Sequence, residues 1–64
     1  MYKNKMREIR EMQGITLKIL AKETGISIGY LCHLEKGTRT NPSIQTMEKI
    51  SKALNKDVTE VFFN

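Results

Sequence analysis

The chain has no tryptophan, only one cysteine, one histidine and one proline, and four glycines in 64 residues. Each scarcity excludes something. A lone Cys32 cannot form an internal disulfide, so nothing staples the fold covalently, and a reducing cytoplasm is the expected setting. Cys32 and His33 are adjacent, point in different directions on a helix and have no further Cys or His to join. A zinc site needs about four ligands, so neither a metal nor any other cofactor is expected. The same geometry argues against a Cys–His catalytic pair. No run approaches the roughly 20 apolar residues of a membrane span. The opening MYKNKMREIREM is charged throughout and lacks the apolar core of a signal peptide. A chain this short buries only about 60% of its unfolded surface, which leaves little room for an enzyme's cleft. It also leaves no room for a separate sensing domain, so no small-molecule ligand is expected.

The charge that is present lies unevenly. Residues 1–42 hold eight Lys and Arg against four Asp and Glu, which is the entire net charge of +4. Residues 43–64 balance at three and three. A positive surplus confined to one part of a chain suits a polyanion-binding surface. Ordinary solubility accounts for a surplus of this size equally well.

The pattern predicts five short helices forming one domain over residues 1–64, and no strand. Tyr2, Met6, Ile9 and Met12 repeat at helical spacing, and Gly14 ends that first helix. Thr16 suits an N-cap for a second helix over Leu17–Glu23, with Leu20 and Ala21 turned inward. Gly25 breaks it, and Ile26 is expected as a buried plug. Ser27 caps a third helix over residues 28–36, and Gly37 stops it. After Pro42, Ser43 caps a fourth helix whose stripe is Ile44, Met47, Ile50, Ala53 and Leu54. Asn55 suits a left-handed residue after it. Asp57 and Glu60 fit a capping box for a last helix carrying Val58, Val61 and Phe62. The methionines at 6, 12 and 47 fit core or core-edge positions.

Residues 17–36 form a unit of their own. Ala21 is small where a second helix would cross closely. Gly25 makes the sharp turn cheap, and Leu31 and Leu34 supply the inner face of the following helix. Two helices crossing steeply over a three- to four-residue turn are a helix-turn-helix. The segments ITLKILAKETGIS, GYLCHLEKG and NPSIQTMEKISKAL, in that order, resemble the lambda-repressor-like, or Xre-type, helix-turn-helix domain. The resemblance covers essentially the whole chain.

That resemblance implies a compact all-α bundle of five helices and a transcriptional regulator, not an enzyme, that binds double-stranded DNA. Its third helix would enter the major groove, with Ser27, Ile28, Gly29 and His33 at base-contacting positions. Thr16, Leu17, Tyr30, Lys36, Arg39 and Arg10 would fall at positions facing the DNA backbone. Arg10 and Glu35 also match positions that form an internal ion pair in such domains. The family dimerises through its last helix, which implies a subunit contact around Val58, Phe62 and Phe63. Two third helices would then lie about 34 Å apart, one DNA turn. Ile19 departs from the family pattern, which usually has a charged residue there. An alternative is a protein-interaction module on the same fold that binds DNA only weakly.

Overall fold

The computed structural model describes residues 4–37 and 42–63. Five helices follow one another: α1 (Met6–Met12), α2 (Leu17–Thr24), α3 (Ile28–Lys36), α4 (Ile44–Ala53) and α5 (Val58–Phe62). No strand occurs among the described residues. Tyr2, placed in the first helix by its spacing, lies outside them.

Local chemistry sets the boundaries. The side chains of Thr16, Ser27 and Ser43 each accept a hydrogen bond from the amide three residues on, at Ile19, Tyr30 and Thr46. Each satisfies one donor that a helix N-terminus otherwise leaves bare. Gly25 and Gly37 close α2 and α3 in the left-handed region, at φ 75° and 76°. Asn55 takes the same region at φ 58°. Glu60 reaches back to the Asp57 amide at 3.0 Å, completing the capping box of α5.

The core is one cluster: Met6, Leu20, Leu31, Leu34, Met47, Ile50, Leu54, Val61 and Phe62. Every helix contributes to it. α2 packs against both α3 and α4, and α5 bridges α4 and α1. Ile26 and Tyr30 are half-buried against this cluster.

Two apolar positions depart from the sequence expectation. Met12 is 81% exposed and Ile44 is 68% exposed. Both lie at the outer end of a helix, where the periodicity persists but no neighbouring helix covers the side chain. Ile19 is exposed, as expected for an apolar residue beside the inward Leu20.

Ser51 faces inward on α4, and its buried hydroxyl has no hydrogen-bond partner among the described residues. An unsatisfied buried hydroxyl is destabilising, and alanine is also the better helix former. Ser51→Ala is therefore expected to raise stability by about 1 kcal/mol. Urea unfolding checks this; a lower midpoint would show that the hydroxyl is satisfied in solution.

Candidate nucleic-acid interface

α3 has two faces. Leu31 and Leu34 are fully buried. With about 3.6 residues per turn, the positions diametrically opposite them are Gly29, His33 and Lys36. All three residues lie on the exposed surface. Ile28 sits on the shoulder of that ridge and is 47% exposed. Cys32 is half-buried on the flank. Ser27, exposed at the start of the helix, uses its oxygen to cap α3 and keeps its hydroxyl proton to donate. Ser27, Ile28, Gly29 and His33 are therefore all exposed along α3 and its N-cap. The helix of nine residues is about 13 Å long, a size that the major groove admits.

Thr16 is exposed at the start of α2, where its oxygen is engaged by the Ile19 amide at 3.1 Å. Leu17 packs its side chain partly against the core, so what it offers outward is its amide. Neither α2 nor α3 has an acidic residue in its first turn. Their partial positive ends therefore remain available to an anion. Tyr30 is half-buried against the core. Lys36 is exposed in the last turn of α3. Arg39 lies outside the described residues.

Arg10, also expected to face the DNA backbone, forms the internal ion pair with Glu35 that the same pattern implies. Its Nε donates to Glu35 Oε2 at 2.7 Å and its Nη2 to Oε1 at 3.2 Å. Its Nη1 donates to the Ile15 carbonyl at 2.8 Å. The side chains of the pair are only 11% and 5% exposed. The hydrogen bond to the Glu35 carboxylate raises the guanidinium's pKa further, so Arg10 stays charged and committed to the protein. It ties α1, the α1–α2 loop and the end of α3 together with three of its five N–H donors.

Asn4 was not visible as a supporting residue in the sequence. Its Nδ2 donates to the Leu34 carbonyl at 3.0 Å, steadying the last turn of α3, while its Oδ1 accepts from the Met6 amide at 2.9 Å. The second contact is a local turn that an Asn two residues before a helix can announce. The first spans thirty residues and has no local signal.

At the other end of the chain, Phe62 is 3% exposed and belongs to the core. That corrects its expected place in a subunit contact, because a buried ring offers no surface to a second copy. Val58 is half-buried against the core, whereas Phe63 is 63% exposed. Among the described residues, no three or more His, Cys, Asp or Glu side chains gather where they could hold a metal ion. No described helix is long and apolar enough to cross a membrane.

The sequence model of the helix-turn-helix family matches residues 6–61. The HTH-type transcriptional regulator SlrR of Bacillus subtilis is 40% identical over 89% of this chain and 38% of its own length. The HTH-type transcriptional regulator SinR of the same organism is 37% identical over 84% of this chain and 49% of its own. The chain thus spans less than half the length of either relative. The crystal structure of SinR, the master regulator for biofilm formation, in complex with DNA superposes with a TM-score of 0.80. It is 37% identical, and the match covers 84% of this chain and 86% of that one.

Proposed function

Because the chain belongs to the helix-turn-helix family, with the lambda-repressor-like, Xre-type fold, we propose that it is a DNA-binding transcriptional regulator acting in the cytoplasm. The observation that carries this is the outward ridge of α3. Its inner side is locked by Leu31 and Leu34, and its outer side, Gly29, His33 and Lys36, is exposed and carries no acidic residue. Ser27, Ile28, Gly29 and His33 meet base edges. Thr16, the Leu17 amide, Lys36 and Arg39 meet phosphates, with Tyr30 at the rim. Two copies associate through the edge of α5, where Phe63 is exposed beside the half-buried Val58, and place their α3 helices in successive turns of the groove. Occupying a promoter in this way represses by excluding polymerase.

The test is the salt dependence of binding to random duplex DNA. Each neutralised phosphate contributes about −0.9 to the log–log slope. The two cationic phosphate contacts per copy, Lys36 and Arg39, give a slope near −1.8, about a twelvefold loss between about 50 and 200 mM salt. Fluorescence anisotropy on a labelled duplex measures this directly. A flat response would overturn the DNA reading in favour of a protein-binding module on the same fold.

A further inference from the structure

Gly29 has no structural reason to be glycine. Gly14 and Gly25, at φ 70° and 75°, adopt a backbone that side chains disfavour, as does Gly37 at φ 76°. Gly29 lies within the regular α3 helix and is not among the positive-φ glycines. A Cβ placed on it would meet nothing within 4 Å. Within a helix, glycine is less favourable than alanine. The fold thus carries a small cost here with no gain of its own, at a position on the outermost ridge of α3.

The surroundings indicate what the gap admits. Direct readout by paired hydrogen bonds relies on Arg, Lys, Asn or Gln. Ser27–Lys36 contains no Arg, Asn or Gln, and its one Lys is at the far end of the helix. Glu35 is engaged by Arg10. The leading end of α3 presents an exposed branched aliphatic side chain, Ile28, beside the bare backbone of Gly29. An aliphatic shoulder next to a notch fits an apolar projection from the groove floor. The apolar group that base pairs present in the major groove is the thymine 5-methyl.

Resting on the DNA-binding reading above, we infer that Ile28 and Gly29 together take up a thymine methyl. Selectivity then comes from methyl contact and close approach, with paired hydrogen bonds playing no part at this position. Gly29 lets the helix sink until Ile28 meets the methyl, and a Cβ at position 29 would hold it off.

The test begins with a site selected from a random duplex pool by the full chain. Each thymine is then replaced by deoxyuracil, which removes only the methyl. Wild-type protein is expected to lose about fourfold in affinity at one thymine per half-site, the worth of one buried methyl group. Ile28→Ala should bind the thymine and uracil duplexes equally. Gly29→Ala should melt a few degrees higher, yet bind the selected site about tenfold more weakly. The inference is overturned if every thymine can be replaced without loss, if Ile28→Ala still distinguishes the two duplexes, or if Gly29→Ala binds the selected site like wild type. Failure of the underlying reading looks different: no duplex of any sequence binds at low salt, and this inference falls with it.

Discussion

Glu35→Ala is expected to cost about 3–5 kcal/mol, because it leaves the Arg10 guanidinium charged, buried and without its partner. The pair is bidentate, at 2.7 and 3.2 Å, and Arg10 cannot escape by losing a proton, because a guanidinium keeps its charge in proteins whatever its partner. A domain of this length has a total stability of about 3–10 kcal/mol at ordinary values per residue. The variant should therefore lose a large share of its stability, and unfold at room temperature if the total lies at the low end of that range. Urea titration followed by far-UV circular dichroism measures it. Glu35→Gln keeps an acceptor facing Arg10 and should lose clearly less. The exposed Arg7–Glu11 pair, 3.2 Å apart on one helix, is the internal comparison. Breaking it should cost only about 0.3–0.5 kcal/mol. If Glu35→Ala lost less than about 1 kcal/mol, the Arg10 pair would have to be solvated, and its role in fixing α3 would be wrong.

Leu31→Ala is expected to cost about 2–5 kcal/mol, for a different reason. Leu31 is fully buried in the cluster shared with Leu20 and Leu34, so truncation removes apolar contact and leaves a cavity that a small bundle closes only partly. The same truncation three residues earlier, at the half-exposed Ile28, should be nearly neutral for stability. The two variants separate the faces of one helix: Leu31→Ala should lower the urea midpoint sharply, and Ile28→Ala should barely move it. Leu31→Met preserves volume and should lose under about 1.5 kcal/mol. Equal losses at positions 28 and 31 would mean that α3 is rotated from the orientation described.

Much of this architecture was legible in the residues because it rests on local rules. Thr16, Ser27 and Ser43 cap helices by contacts three residues long, and Gly25, Gly37 and Asn55 turn the chain with their own backbone freedom. The bounds of α3 and the inward leucines follow from such signals. What periodicity does not report is whether a neighbour exists to cover an apolar side chain. Met12 and Ile44 continue their stripes past the end of the packing surface and emerge into solvent. Long-range polar contacts are equally silent: Gln13 donates to the Leu54 carbonyl at 2.7 Å across forty-one residues, and nothing around either residue announces it. On the candidate interface, spacing and family pattern together indicated the outward face of α3. They gave Arg10 two roles, and its geometry with Glu35 and Ile15 shows the internal one.

The Lys5 amide donates to the Val61 carbonyl at 2.8 Å, joining the start of α1 to the last turn of α5. The five helices are thereby buckled into a ring without a covalent join. Fraying at either side of the buckle cannot stay local: peeling α5 away frees the Lys5 amide, and unwinding the segment before α1 strands the Val61 carbonyl. Because Asn4 beside it also holds the last turn of α3, one short stretch of chain touches both the join between first and last helices and the foot of the helix with the exposed face.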